Sequence, residues 1–328
     1  MTATAPRRIT TLVLALAMAL GMLVVPATVP AADAATVAPD LESQLMALTN
    51  RERAARGLPA LQTSLQMTRV ARDWSQTMAD EQRLYHRPDL KSVASGNWTR
   101  IGENVGVGPS IERIHQAFMD SPGHKANVLG DWKYVGIGVI EHDGRLWLTL
   151  NFLQGTGDFP AFQDVTTTVH RANIETVFAR ATTNGCTSDR FCPGTSVTRA
   201  QMASFLAREL GLTPTAPSGL SDVPSNSVHA GNIGALTEAG IATPCASGRF
   251  CPSDPITRAD MASWVAAALD LAPVDPSFGD VLSSDAAAGA IGALEQRGIV
   301  NGCGDGRYCP REAVNRGQMT AFLARAWN

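Results

Sequence analysis

The feature that most constrains the fold is a segment that occurs three times in the second half of the chain. Each copy opens on an Asp-Val pair, continues to two cysteines followed by Pro, and ends on a motif with one arginine. Corresponding positions recur every 58 or 59 residues, which is typical of a repeat architecture. The aspartates of the three copies are Asp164, Asp222 and Asp280, and the arginines are Arg199, Arg258 and Arg316.

Each copy has the pattern of two helices joined by a cysteine-bounded turn. In the second copy, apolar residues from Ile233 to Ile241 are spaced as on a helix that ends at Gly240. Thr198 and Thr257 stand where the next helix needs an N-cap. A two-helix unit cannot bury its apolar side alone, so we expect the three units to pack into one body.

The six cysteines of the chain all lie in these repeats, in three close pairs. An even count in repeated pairs predicts disulfides in an exported protein, and one bridge per repeat is the simplest of the 15 possible pairings. Zinc is the alternative, but it needs four ligands, and no histidine accompanies these pairs. The predicted bridges are Cys186 with Cys192, Cys245 with Cys251, and Cys303 with Cys309.

The N-terminus has the pattern of a secretory signal peptide over residues 1–34. Arg7 and Arg8 precede an apolar run from Leu12 to Val25, and Ala32 and Ala34 satisfy the small-x-small cleavage rule. The run is too short for a transmembrane anchor. A net charge of -3, from 27 basic and 30 acidic residues, argues against nucleic acid as a partner. We therefore expect an exported protein without a transmembrane segment after removal of the signal.

The region before the repeats, residues 38–155, shows no repeat and no cysteine. Apolar spacing predicts one helix from about Leu41 that stops at Gly57 and a second around Met67 to Met78. Two alternating segments, 134–141 and 145–152, flank Asp143-Gly144 and predict a β-hairpin. Helices followed by strands indicate an α+β fold, with the domain boundary near residues 155–160.

Three polar residues in this region are candidates for a site: His86, Glu103 and His124. Two imidazoles and one carboxylate could hold a divalent metal such as zinc and leave one position open. Their spacing matches no metal motif, and histidines in such positions more often have a structural role.

Several motifs in this region resemble the CAP superfamily of cysteine-rich secretory, antigen 5 and pathogenesis-related-1 proteins in its bacterial form. They are Asn50-Arg51, Leu84-Tyr-His86, Gly102-Glu-Asn-Val105, Ser121-Pro-Gly-His-Lys-Ala-Asn127, Val135-Gly-Ile-Gly138 and Asn151-Phe152. The resemblance implies an α-β-α sandwich with a cleft lined by two His and two acidic residues. His86, Glu103 and His124 match three of these. At the second acidic position the chain has Asp120-Ser121, which we assign to the ligand cleft.

The family resemblance leaves two mechanisms open for the cleft. One is a binding cleft for a metal or a small lipid or peptide ligand. The other is a metal-dependent hydrolase or protease in which Glu103 or Asp120 is the base for a metal-bound water. The chain has no His-Glu-x-x-His helix and no Gly-x-Ser-x-Gly elbow. We therefore expect binding rather than catalysis.

The repeats resemble S-layer homology domains, over residues 159–216, 217–274 and 275–328. The resemblance implies an all-α module of three repeats whose grooves bind cell-wall polysaccharide. It assigns Arg199, Arg258 and Arg316, with Asp164, Asp222 and Asp280, to polymer binding, because guanidinium groups suit carboxylates and repetition gives avidity. The alternative is that each arginine pairs with an aspartate of a neighbouring repeat and has only a structural role. The sequence thus predicts a secreted protein of the cell wall or cell surface.

Overall fold

The computed structural model describes residues 35–328, so the predicted signal peptide lies outside the described residues. Among residues 35–328, no helix has both the length and the apolar character that a membrane crossing requires.

The first region, up to Gly155, is a five-stranded sheet with helices on both faces. The strands pair in the order β1-β4-β5-β3, and β2 adds to β4 in parallel. The elements in chain order are β1 (Thr36–Val37), α1 (Pro39–Ala54), β2 (Gln62–Thr63), α2 (Leu65–Asp80), α3 (Leu90–Val93), β3 (Trp98–Gly108), α4 (Ile111–Asp120), α5 (Pro122–Val128), β4 (Tyr134–His142) and β5 (Arg145–Gly155).

The structure confirms the two predicted helices and the hairpin. Asp143 and Gly144 connect β4 to β5 with φ angles of 48° and 68°, as a two-residue hairpin turn requires. Strand β3 was not predicted; it lies between helices in the chain but pairs with β5 along its length. The expectation that strands follow helices is therefore wrong for this strand.

Alternation along β4 explains how the two helical layers pack on the sheet. Val135, Ile137 and Val139 belong to the core shared with α1 and α4. The intervening Gly136 and Gly138 face α2, where an added Cβ would lie 2.0 Å and 2.2 Å from backbone atoms of that helix. The Val135-Gly-Ile-Gly138 motif therefore permits α2 to lie directly on the strand.

The second region consists of three helix pairs that alternate with the cysteine turns. The side chains of Thr198 and Thr257 cap the second helix of the first two pairs, as predicted, and Asn315 caps that of the third. The elements are a 3-10 turn (Gln163–Val165), α6 (Arg171–Ala179), α7 (Arg199–Glu209), α8 (Ala230–Glu238), α9 (Arg258–Ala268), α10 (Ala288–Gln296) and α11 (Arg316–Ala326).

The three units close into a ring through backbone hydrogen bonds. Val197 N–H donates to Val314 O at 2.8 Å, Val314 N–H to Ile256 O at 3.0 Å, and Ile256 N–H to Val197 O at 2.9 Å. The helices follow the same cycle, since α7 packs on α8, α9 on α10, and α11 on α6. Each unit thus buries its apolar side against the next, which confirms that the repeats form one body.

The three predicted disulfides are present, one in each unit. Each bridge closes a turn that is also bound by the aspartate at the start of the unit. The Asp222 carboxylate accepts from Phe250 N–H and Cys251 N–H at 2.8 Å, and Asp164 and Asp280 do the same in their units. The aspartates therefore hold the turn of their own unit.

The two regions are in direct contact through α2. Arg72 forms a buried bidentate ion pair with Glu42 of α1, at 2.7–2.8 Å, and donates to the carbonyls of Phe178 and Ala179 in the first repeat unit. Arg69, one turn earlier, donates to the carbonyls of Ala161 and Ser188.

Candidate functional site

The first candidate site is the cleft formed by His86, Glu103 and His124. His86 follows α2, and its Nδ1 lies 2.7 Å from Oε1 of Glu103 on β3. The His86 side chain is 64% exposed, whereas that of Glu103 is 5% exposed. The pair thus places a solvent-accessible imidazole on a buried carboxylate, and the structure brings together two of the residues that the sequence singled out.

His124 reaches the same region on the short helix α5. Its charge interaction with His86 adds to burial in lowering the pKa of His124, so the two imidazoles lie within electrostatic range. The His124 ring also packs on Phe118, with 5.1 Å between ring centroids. His124 is half-buried.

Two side-chain amides without a predicted role, the buried Asn104 and the half-buried Asn127, fix α5 to β3. Asn104 donates to the backbone carbonyl of His124 at 3.0 Å. Asn127 donates to the backbone carbonyl of Glu103 at 3.0 Å and to the Asn104 side chain at 2.8 Å. These bonds set the positions of Glu103 and His124 relative to each other, so Asn104 and Asn127 are positioning residues. Their signal in the sequence is that each stands within three residues of a candidate ligand.

Only one of the two oxygens of the Glu103 carboxylate has hydrogen-bond partners among the described residues. Oε1 accepts from His86 and from Arg87 N–H, at 2.7 Å and 3.0 Å, whereas the buried Oε2 has no hydrogen-bond partner within residues 35–328. Burial raises the pKa of Glu103, and the hydrogen bonds from Arg87 and His86 oppose this only in part. An unpaired buried carboxylate oxygen is costly, so this atom favours a donor group or a cation.

The two other residues assigned to the cleft have different surroundings. Asp120 is exposed at the end of α4 and accepts from Gln116 of its own helix at 2.8 Å. Ser121 is half-buried at the start of α5. In the part of the chain that the structure describes, neither residue forms a hydrogen bond or an ion pair with His86, Glu103 or His124.

The three cleft residues do not form a ready-made metal site. No group of three His, Cys, Asp or Glu side chains in residues 35–328 is arranged to hold a metal ion. Oε1 of Glu103 is already the acceptor for His86 and Arg87, which leaves only Oε2 of that carboxylate as a free ligand atom. In this geometry Glu103 holds His86 in place rather than standing beside it as an independent ligand.

The second candidate site is the set of three arginines in the repeats. Each is 4% exposed and reaches the cysteine turn of the following unit. Nε of Arg199 donates to Phe250 O, that of Arg258 to Tyr308 O, and that of Arg316 to Phe191 O, at 2.7–2.8 Å. Each guanidinium also lies over the ring of the same aromatic residue, at 4.5–5.1 Å. The arginines thus complete the ring of units.

The alternative interpretation, in which these arginines pair with Asp164, Asp222 and Asp280 of a neighbouring unit, is wrong, because those carboxylates accept the turn N–H groups of their own unit. The direct partners are backbone carbonyls and aromatic rings of the neighbouring unit. Asp164 acts on Arg316 only through its charge, which partly offsets the burial that lowers the pKa of Arg316 to about 10. Within residues 35–328, Arg199 is the only one of these three arginines that forms an ion pair with a carboxylate, that of Asp260 at 3.3 Å.

Comparison with known proteins agrees with this division of the chain. Residues 46–152 match the family described as Cysteine-rich secretory protein family, CAP. Residues 220–262 and 277–320 match the S-layer homology domain, SLH. The first repeat unit lies outside these matches, although it makes the same turn, cap and arginine contacts as the other two.

Three similar proteins illustrate the two regions. The uncharacterized protein YkwD of Bacillus subtilis (strain 168) is 30% identical over 135 residues, which are 37% of this chain and 52% of that protein. An S-layer protein of Bacillus thuringiensis subsp. finitimus is 33% identical over 122 residues, 35% of this chain and 15% of that protein. An extracellular protein containing a SCP domain from Bacillus anthracis str. Ames, solved as a crystal structure, is 26% identical with a TM-score of 0.32, covering 35% of this chain and 40% of that chain.

The chain thus covers about half the length of YkwD and a smaller share of the S-layer protein. It has one segment that matches the CAP family, followed by two segments that match the SLH domain. Together the matches indicate a secreted protein of the cell surface that is associated with the cell wall.

Proposed function

We propose that the repeat region attaches the protein to an anionic cell-wall polysaccharide and that the CAP domain holds a small ligand in the cleft of His86, Glu103 and His124. The wall-binding part rests on one observation, the ring of buried arginines. Nη2 of Arg316 is buried without a hydrogen-bond partner among the described residues, and the guanidinium of Arg258 has only the Tyr308 carbonyl as a hydrogen-bond acceptor there. Guanidinium groups in this state favour carboxylate or phosphate oxygens of a ligand.

Wall attachment is tested by co-sedimentation of the chain from residue 35 onward with purified walls of the producing bacterium. We expect binding to intact walls, weakening with added salt, and loss of binding to walls from which the anionic polysaccharide has been extracted with acid. Equal binding to intact and extracted walls would contradict the proposed role of an anionic polymer.

The ligand-binding part rests on the unpaired Oε2 of Glu103 beside an exposed imidazole. A ligand with an O–H or N–H group could donate to this oxygen, and the free nitrogen of His86 could contact the same molecule. A divalent metal such as zinc is the alternative occupant, although the contacts of Glu103 with His86 and Arg87 favour a hydrogen-bonding ligand.

Native mass spectrometry and metal analysis of the purified protein distinguish these occupants. We expect a small organic molecule that is bound by the parent protein and lost in Glu103→Gln. Stoichiometric zinc that disappears in His86→Ala and His124→Ala would replace the small-ligand proposal by a metal site. Turnover of a wall or peptide substrate that depends on Glu103 would identify a hydrolase instead.

A further inference from the structure

The three grooves of the repeat ring are not equivalent, although their units share one architecture. Each groove lies between the second helix of one unit and the first helix of the next. In each groove, one of the three ring arginines (Arg199, Arg258 and Arg316) lies over an aromatic ring of that second helix. We name them by their helices: the α7–α8 groove (Arg316, Arg208, His229), the α11–α6 groove (Arg258, Arg325, His170) and the α9–α10 groove (Arg199, Asp260, Ala287).

In the α9–α10 groove, the protein itself satisfies the ring arginine. Arg199 donates to Phe250 O, to Thr243 O and to the Asp260 carboxylate, so all three guanidinium nitrogens have protein partners. The side chain of Asp260 is 42% exposed, so it presents a negative charge at the mouth of this groove. An anionic ligand here would meet a neutralised arginine and a repelling carboxylate.

In the other two grooves, the position of Asp260 is taken by the neutral Gln201 or Gln318. Each of these two grooves also has a second arginine, Arg208 or Arg325, where the α9–α10 groove has Ala267. Both second arginines are exposed, and each is anchored by one backbone carbonyl, of Thr182 or Ile299. Each of these two grooves therefore has two arginines, and neither of them forms an ion pair with a carboxylate within residues 35–328.

A histidine at the start of the opposing helix adds a third polar group to the same two grooves. Nδ1 of His229 lies 2.8 Å from Ser204 Oγ on α7, and His170 lines the same cavity as Arg325. Burial lowers the pKa of both histidines, and the charge of Arg208 or Arg325 lowers it further. In the α9–α10 groove the corresponding residue is Ala287.

An exposed valine lies beside each of the two histidines. Val228 and Val169, which precede the two histidines, are 87% and 91% exposed, and such apolar groups can contact the C–H face of a sugar ring. The α11–α6 groove encloses about 210 Å³ lined by Arg258, Arg325, His170 and Gln318, among others.

From these contacts we infer that the wall polymer occupies two of the three grooves, α7–α8 and α11–α6, with Arg208 and Arg325 as specificity-determining residues. In the third groove, α9–α10, the charge of Asp260 prevents the polymer from binding. This inference rests on the proposed wall attachment. The recognised group is an acidic substituent of a polysaccharide, held between two guanidinium groups and the adjacent histidine.

The test compares wall binding of Arg208→Ala, Arg325→Ala and the double variant with that of the parent chain from residue 35 onward. Both arginines are exposed at the ends of their helices, so the substitutions should leave the fold intact. We expect each single variant to bind purified walls about tenfold more weakly, since each removes one charge-assisted contact, and the double variant to bind weaker still.

Arg297→Ala is the matched control, because Arg297 is also exposed at a helix end and the net charge changes equally, but it lies outside the grooves. We expect Arg297→Ala to retain parental binding. We expect Asp260→Gln to bind at least as tightly as the parent, because it removes the carboxylate that repels the polymer from the third groove. If the parent binds walls and the double variant binds as well as Arg297→Ala, the two-groove inference is wrong while wall attachment stands. If the parent itself does not bind, the proposed wall attachment fails.

Discussion

Arg72 in the first region (residues 35–155) and Arg316 in the repeats are both buried, but their guanidinium groups have different partners. Arg72 faces the carboxylate of Glu42 in a bidentate pair and uses its remaining donors on two carbonyls. Arg316 has a carbonyl and two aromatic rings as partners, and one of its nitrogens has none among the described residues. The first arrangement is complete, whereas the second keeps donor capacity for a ligand. Burial of an arginine therefore does not by itself distinguish a structural role from a binding role; the partners do.

The largest effect is expected from Arg72→Met. The substitution leaves Glu42 buried without a counter-charge, and breaking a buried pair in this way costs about 3–5 kcal/mol of the free energy of unfolding. Burial already raises the pKa of Glu42 even with Arg72 opposing it. A raised pKa means that the ionised form is disfavoured in the fold, so the variant should lose further stability as the pH rises above the ordinary value for Glu. Urea unfolding at acid and neutral pH measures both effects.

Arg69→Met is the control for that comparison. Arg69 also joins α2 to carbonyls of the first repeat unit, but it has no carboxylate partner in the described residues. We expect a loss of about 1 kcal/mol, and we expect Glu42→Gln in the Arg72→Met background to recover part of the stability. If Arg72→Met lowers the free energy of unfolding by no more than Arg69→Met, the ion pair of Arg72 with Glu42 does not contribute the expected stability.

The next largest effect is expected from Arg316→Met. The Phe191 carbonyl loses its donor and two aromatic rings lose their cation, at a cost of about 1–3 kcal/mol, but no buried carboxylate is left unpaired. The cost should therefore be smaller than that of Arg72→Met and nearly independent of acid pH. Unfolding in guanidinium chloride, with Arg297→Met as the exposed control, measures this loss of stability. If Arg316→Met costs as much stability as Arg72→Met and depends on pH in the same way, the two arginines do not differ in how their charge is satisfied.

The sequence predicted the repeat ring better than the cleft, for a physical reason. A period of 58 or 59 residues requires equivalent contacts three times over, so the shared turns, caps and bridges followed from the pattern. The pattern gives no information about which neighbour each arginine reaches, and the alternative that paired each arginine with an aspartate of a neighbouring unit is wrong. The units differ at one position, where they have Gln201, Asp260 and Gln318, and this difference is visible in the sequence. Its effect on the grooves could not be predicted, because it depends on which arginine lies beside that position in the fold.

The cleft has no such internal repetition. The contact of His86 with Glu103 agrees with the residues that the CAP resemblance assigned, but their gap of 17 residues in the chain carried no distance information. β3, which holds Glu103, was not predicted, because Gly102, Gly106 and Gly108 interrupt its apolar pattern. The roles of Asn104 and Asn127 depend on pairing between β3 and α5, which is a tertiary contact.

The smallest effect, and the most direct test of the cleft, is expected from His86→Gln. The positive charge of His86 contributes to the lowered pKa of His124, second to burial. Removing that charge should move the pKa of His124 upward, toward the ordinary value for histidine, without reaching it because burial persists. NMR titration of the His124 ring protons in the parent and the variant measures the shift.

The same measurement on a histidine outside the cleft makes this test specific. His115 is buried on α4, and its pKa is lowered by burial, with Glu52 and Arg51 as the charges that act on it. His86 is not among those charges, so the pKa of His115 should be the same in the parent and in His86→Gln. A rise at His124 alone would establish that the two imidazoles share one cleft. Unchanged titration of both would mean that His86 and His124 are too far apart to contact one ligand, and the cleft would be reduced to the His86–Glu103 pair.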